Sequence, residues 1–424
     1  MKISLVNLTS AINKVKSFAN TVTEAPGILL DFCEDKVRVC YSDGRKAIIE
    51  EVGAEREEGD ITGKIVMSYN RLTYIIDMCQ ATGDLKANEV SFSFDVDNKS
   101  LQIETRKYMI MRAPTGDVDL EGNQVYEERQ NIVSKVCQKA NFEYVEDSMR
   151  YGVLSRMNYQ GIFDASAEEY DTWDRLELRS LLNKITTEKG RVSYISGVQN
   201  KGFAVNYSYT VAVPCECCQN HGFATDYTLA KAIIEILGQI KTEKVRIHTQ
   251  DKRYVNIVDD TDTVGIWFEM APVSRTDNNI LTNCLSRDYA DYKLIFMKAA
   301  LVDVIKNVMA SSKDDKTTLA FGMNENGERV LKINVKNAGA SVAGDFEIRI
   351  EGREIRNWDS LVEIKIPISL KMLVDTLGHC EQPFVAMDMQ VDDSGKFMRI
   401  AEVVGRDEDG EAILNTCHYA IVDR

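Results

Sequence analysis

The sequence predicts an α+β protein made of three repeats, each with two amphipathic helices packed on antiparallel sheets. Three observations carry this. An order of helix, strands, second helix and strands recurs three times along the 424 residues. Six segments place apolar side chains at i, i+3, i+4 and i+7, the spacing of a helix with one buried face. The intervening runs are rich in alternating apolar residues and are bounded by Gly, Asn, Asp and Ser, as strands and their turns are.

In the first repeat a helix is expected over residues 7–19, with Leu8, Ile12, Val15 and Ala19 on one face. Strands follow at Gly27–Phe32, Lys36–Tyr41 and Arg45–Val52, the last two separated by the turn signal Ser42-Asp43-Gly44. Ser68 is the expected cap of a second helix carrying Leu72, Ile75, Ile76 and Cys79. The alternating runs Val90–Val96 and Leu101–Thr105 then read as a hairpin with one wet face.

The order returns with a helix from Arg175 to Lys189, strands at Val192–Ile195, Gly202–Tyr209 and Val211–Cys217, a helix from Ala224 to Lys241, and strands at Lys244–His248 and Tyr254–Val258. It returns again with a helix from Leu294 to Lys313, then strands Thr318–Phe321 and Val330–Val335 joined through Asn326-Gly327, a hairpin signal. A last helix, Pro367–Cys380, precedes strands at Phe384–Met389, Phe397–Val403 and Cys417–Val422. Similar order without similar residues indicates an internal triplication with a domain-sized period. The expected divisions are residues 1–120, 173–285 and 286–424, with 121–172 an insertion or elaborated linker. That linker is polar, with a helical patch at Gln130–Lys139.

With 44% apolar and 28% charged residues, the composition is that of a globular protein with several cores. No apolar run reaches the roughly 20 residues that span a bilayer. Met1-Lys2-Ile3-Ser4-Leu5-Val6-Asn7 lacks the apolar core and cleavage site of a secretory signal. The expectation is a cytoplasmic, nucleoid-associated protein without a membrane partner, its ten cysteines reduced.

A net charge of −15 argues against nucleic-acid binding until its distribution is considered. The six expected helices, taken as 7–19, 69–83, 175–191, 224–241, 294–313 and 367–380, hold 14 Lys and Arg against 7 Asp and Glu, leaving −22 on the remainder. Helix propensity alone favours Lys and Arg on surface helices, and is one account of this. The other is that the helices line a surface facing phosphates while an acidic exterior repels them. On that account the DNA-facing residues are Lys14, Lys16, Arg71, Arg179, Lys184, Lys189, Arg191, Lys231, Lys241, Lys298, Lys306, Lys313 and Lys371.

The same residues resemble the bacterial and phage DNA sliding clamp family, the beta subunit of the replicative DNA polymerase III. The resemblance covers most of the chain outside 121–172. It is carried by Met1-Lys2-Ile3-Ser4 with the Leu8–Ala19 helix, Ala25-Pro26-Gly27-Ile28-Leu29-Leu30, Tyr194-Ile195-Ser196-Gly197-Val198, Phe296-Met297-Lys298-Ala299-Ala300-Leu301, and the run from Ile366 to Leu377. It implies a non-enzymatic processivity factor without a cofactor: a head-to-tail homodimer ring that encircles double-stranded DNA, is loaded by a clamp loader and tethers a DNA polymerase.

The resemblance also implies a partner-peptide pocket, with Tyr207 and Tyr209 on one wall, Pro272 on another, and Ala420, Ile421 and Val422 on a third. The subunit interface it implies falls at Met109, Met111, Leu301 and Val302, which also read as ordinary core residues. A second reading of the whole chain is a clamp-like accessory or scaffold protein that binds replication or transcription partners without encircling DNA.

No phosphate-cradling loop, His-Glu-x-x-His run or nucleophile elbow occurs. The four histidines, His221, His248, His379 and His418, have no evident catalytic partner in the sequence. Cys215, Cys218 and His221 have a spacing that could hold zinc, although no second cysteine knuckle completes it. The alternative is reduced cysteines at a strand end.

Overall fold

The computed structural model describes residues 1–19, 27–57, 60, 62–144, 170–186, 193–198, 201–206, 209–214, 222–251, 253–272, 286–287, 289, 292–311, 316–334, 345–350, 358–392 and 395–423. The chain begins with β1 (Lys2–Ser4), α1 (Leu5–Ala19), β2 (Gly27–Phe32), β3 (Lys36–Ser42), β4 (Lys46–Glu55), β5 (Gly63–Ser68), α2 (Tyr69–Cys79), β6 (Leu85–Lys86), β7 (Glu89–Asp95), β8 (Ser100–Val118), β9 (Gln124–Asn141) and β10 (Glu143–Tyr144). It continues with β11 (Asp171–Asp174), α3 (Arg175–Ile185), β12 (Ser193–Val198), β13 (Lys201–Asn206), β14 (Tyr209–Pro214), β15 (Phe223–Thr225), α4 (Tyr227–Gln239), β16 (Lys244–Gln250), β17 (Tyr254–Asp259) and β18 (Val264–Glu269). It closes with β19 (Tyr292–Met297), α5 (Lys298–Ser311), β20 (Lys316–Met323), β21 (Arg329–Asn334), β22 (Asp345–Arg349), α6 (Trp358–Val362), β23 (Ile366–Ser369), α7 (Leu370–Gly378), β24 (Phe384–Asp392), β25 (Gly395–Arg406) and β26 (Ala412–Asp423).

Two compact units result. One comprises Met1–Arg175 with Ala232–Met270, the other Leu176–Lys231 with Ala271–Arg424. Unit one holds a fourteen-stranded antiparallel sheet in which β4 is shared. Along one edge β4 pairs with β3; along the other, Lys46–Glu50 pairs with β18 and Ala54 and Glu55 pair with β1. Ala47, Ile48 and Ile49 are all buried, the continuous apolar run of a strand covered on both faces. Unit two holds an eight-stranded sheet ordered β15-β12-β13-β14-β26-β25-β24-β19 and a four-stranded sheet ordered β22-β21-β20-β23. The strands expected in the middle repeat therefore serve two sheets: β11 and β16–β18 extend the first, β12–β15 the second.

The helices form where the apolar period demands. Leu5, Leu8, Ile12, Val15 and Phe18 of α1 are buried over β3 and β4, and Leu72, Ile75, Ile76 and Cys79 of α2 are buried where that helix packs on β5, β8 and β9. Ser68 has the extended backbone of a cap, but its hydroxyl makes no capping bond. Ser369 does cap: its Oγ accepts from the Met372 amide at 3.2 Å.

Four expected segments differ. Ala224 and Thr225, expected to open a helix, close strand β15, and α4 begins only at Tyr227. Residues 294–297 belong to strand β19, where Tyr292, Leu294 and Phe296 are buried in alternation, so the helix begins only at Lys298. Residues 367–369 are likewise strand, with Ile366 and Ile368 buried and Pro367 outward. The patch at 130–139, expected as helix, is strand β9, paired along most of its length with β8. Its local sequence tolerates helix, but the long partner strand supplies hydrogen bonds that local propensity cannot outweigh.

The core of unit two gathers Leu294, Phe296, Leu301, Leu373, Val385 and Met387, among others, from β19, α5, α7 and β24. Leu301, expected at a subunit interface, is wholly buried there, and Val302 is half-buried against the same core. Leu301→Ala is expected to lower unfolding free energy by about 2–5 kcal/mol through the cavity it leaves. Urea denaturation measures this, and a change below about 1 kcal/mol would contradict the core assignment.

Candidate nucleic-acid and partner surfaces

The structure divides the expected DNA-facing cations sharply. Lys16 on α1, Arg71 on α2, Arg179 on α3, Lys231 on α4, Lys241 just beyond α4, Lys306 on α5 and Lys371 on α7 are exposed. Arg71 also donates to the Lys139 carbonyl at 3.2 Å, and Lys231 lies 5.7 Å from the Tyr227 ring centroid. Within their observed bounds, the six helices longer than eight residues hold ten basic and five acidic residues, so the excess on helices survives their shortening. Lys189, Arg191 and Lys313 lie outside the described residues.

Two of the expected contacts are corrected. Lys14 is buried, its Nζ 2.7 Å from Glu50 Oε1 and 2.9 Å from Ser10 Oγ. It sits on the α1 face turned to the sheet, because β4 carries Glu50 inward beneath it. Burial pushes the Glu50 carboxyl above the usual carboxylate range, against the pull of Lys14. Lys184 is also buried, with Nζ 3.7 Å from Glu402 Oε1 and 3.5 Å from Thr416 Oγ1. Lys298 is half-buried and donates to the Cys380 carbonyl at 2.7 Å. A buried ammonium needs a partner to offset its lost hydration, so Lys14 and Lys184 face carboxylates and the half-buried Lys298 a backbone carbonyl.

A fourth such group had no signal in the sequence. Lys46 on β4 is buried, and its Nζ donates to the Phe18 carbonyl at 3.0 Å, where α1 leaves its last carbonyls without helical partners.

Of the partner-pocket residues, Tyr209 stands opposite Ala420 in the β14–β26 ladder, and Ile421 opposite Phe397 across β25–β26. Val422 continues β26, Pro272 is exposed, and Tyr207 lies outside the described residues. The backbone thus brings Tyr209 and Ala420 side by side. Cys215, Cys218 and His221 lie outside the described residues.

At the expected interface, Met109 is half-buried opposite Leu85, while Met111 is exposed on the β8–β9 hairpin, its Sδ 3.0 Å from Asn131 Nδ2. The distal hairpin also exposes Ile110, Val118, Tyr126, Ile132 and Val133. Sequence reasoning misses this apolar surface because 121–172 reads as polar and strand pairing is not local.

Known solved structures share this architecture along the entire chain. The Thermotoga maritima DNA polymerase III beta subunit superposes with a TM-score of 0.67 at 13% identity, covering 100% of this chain and 99% of that one. The fold is that of the sliding clamps. A DNA polymerase sliding clamp from Pseudomonas aeruginosa matches with a TM-score of 0.68 at 11% identity, and one from Caulobacter crescentus with 0.65 at 16%. Each covers the whole of this chain, with 99% of its own length aligned. No known family profile and no curated protein matches by sequence. The likeness is thus one of fold, at 11–16% sequence identity. No helix among the described residues is long and apolar enough to cross a membrane.

The buried pair on the clamp fold yields a direct expectation. Lys14→Ala leaves the Glu50 carboxylate without its ammonium partner and is expected to cost about 3–5 kcal/mol of unfolding free energy. Lys16→Ala is expected to stay within about 0.5 kcal/mol. Chemical denaturation of both variants checks this, and equal stabilities would refute the structural role of Lys14.

Proposed function

We propose that the protein is a sliding clamp: three domain-sized repeats per chain, paired head to tail into a homodimer ring that encircles duplex DNA and tethers a DNA polymerase. A clamp loader opens and closes it, and it carries out no chemistry of its own. The observation that carries this reading is the full-length likeness to sliding clamps. The exposed Lys16, Arg71, Arg179, Lys231, Lys241, Lys306 and Lys371 support it, since each of the six longer helices then offers at least one cation for phosphate contact.

A ring holds DNA by topology. The phosphate contacts need only be weak and sequence-independent, which leaves the clamp free to slide. The exposed β8–β9 hairpin supplies an apolar side chain for subunit contact in this reading, Met111, and the neighbourhood of Tyr209 and Ala420 the ground for a partner peptide. The same reading places the protein in the cytoplasm at the replisome.

Native mass spectrometry and retention on plasmid DNA test the proposal together. A dimer retained on closed circular DNA and lost after linearisation is expected. A strictly monomeric protein with no such retention overturns the ring and favours a clamp-like scaffold that binds partners beside DNA. Replacing Lys16, Arg71, Lys231 and Lys306 by Glu is expected to flatten the logarithmic salt dependence of DNA association by about 0.9 for each phosphate no longer neutralised. An unchanged slope would contradict their pairing with phosphates.

A further inference from the structure

Unit two contains a buried cluster that DNA encirclement does not use. Cys380 follows the C-cap of α7, Glu402 lies on β25 and His418 on β26. The α7 helix packs over the sheet that carries the other two, so its end delivers a thiol above two neighbouring strands; His418 stands opposite Ile400 in their ladder. The Cys380 Sγ, a Glu402 carboxylate oxygen and a His418 ring nitrogen all lie within 4.8 Å of one another. The three residues are 3%, 2% and 2% exposed.

The cluster is poorly satisfied by its own hydrogen bonds. Neither ring nitrogen of His418 has a hydrogen-bond partner, and Glu402 Oε1 has none. The Cys380 thiol is 3.5 Å from the Thr376 carbonyl, and Lys184 Nζ stands 3.7 Å from Glu402 Oε1. An imidazole buried with both nitrogens unpartnered forfeits its hydration and regains nothing in its place. A fold does not ordinarily retain such a group without something else to bind it.

We propose that Cys380, Glu402 and His418 form a structural binding site for a thiophilic divalent metal ion, zinc by chemical class. A thiolate, an imidazole and a carboxylate are three ligands that zinc accepts together, whereas magnesium and calcium prefer oxygen alone. The ion bonds to sulfur as the thiol proton leaves to solvent, and the imidazole binds through a nitrogen lone pair without losing a proton. A water or a further side chain completes the usual four positions; His379, adjacent to Cys380 in the chain, is of the right type. Lys184 opposes the ion, because it presents a positive charge to the same carboxylate. Metal binding therefore displaces the Lys184 ammonium from Glu402. The site ties α7 to β25 and β26, the strand that also pairs with β14.

Cobalt(II) titration of the reduced full-length chain tests this by optical absorption. One equivalent bound with a thiolate-to-cobalt charge-transfer band is expected, and zinc should displace it and raise Tm. The band should be lost in Cys380→Ser and kept in a Cys215→Ser, Cys218→Ser double variant, which separates this site from the cysteine-rich stretch. Lys184→Met, which removes the opposing cation, is expected to tighten binding by about tenfold or more. Folded wild-type protein that shows no such band, or a band unchanged in Cys380→Ser, overturns the proposal. Should Cys380→Ser fail to fold, the wild-type band and its loss in His418→Gln decide the matter. None of these readouts depends on ring closure or DNA.

Discussion

Strand pairing between segments remote in sequence is the dominant constraint in this structure. Residues 46–50 of β4 present backbone N–H and C=O groups along an edge that the first repeat does not itself fill, and β18 fills it, with Ile266 opposite Ile48. In unit two, β14 meets β26 in the same way, with Thr210 opposite Tyr419. An unpaired edge inside a protein forfeits hydrogen bonds and invites wrong partners. Each of these ladders therefore fixes where a piece of the middle repeat belongs, and each sheet grows beyond the repeat that began it. The helices then have a continuous surface to cover.

Charge follows from that geometry. β4 carries Glu50 inward and Lys46 toward the end of α1, so Lys14 and the Phe18 carbonyl are claimed by the sheet before any external partner can use them. Unit two makes the same arrangement with Lys184 over Glu402. Each of the six longer helices also carries at least one exposed cation, and one of them, Arg71, reaches back to the Lys139 carbonyl of β9. Strand position, as well as helix composition, determines which lysines are buried.

The helices are legible in the sequence because a helix over a sheet needs a periodic apolar face, and Leu72, Ile75, Ile76 and Cys79 show that period without ambiguity. Their starts are harder to read. At β19–α5 and β23–α7 a strand with one buried face runs straight into a helix with one buried face, and apolar residues are dense on both sides of the junction. Ser369 marks one boundary, with its capping hydroxyl. Lys14 and Lys184 look like every other surface lysine, since their acidic partners lie 36 positions away in one case and on a distant strand in the other. The buried grouping of Cys380, Glu402 and His418 has no sequence spacing at all, because three elements meet there only after folding. Local periodicity reveals elements; the partners of inward polar groups are set by strand register.

The clamp fold places the proposed function in the assembly rather than in any single side chain. Electron microscopy of the purified protein images that assembly without intermediaries. Closed two-fold rings with an open centre and six similar lobes are expected, as three repeats from each of two chains require. Discrete three-lobed particles that stay unpaired at high concentration would contradict the ring.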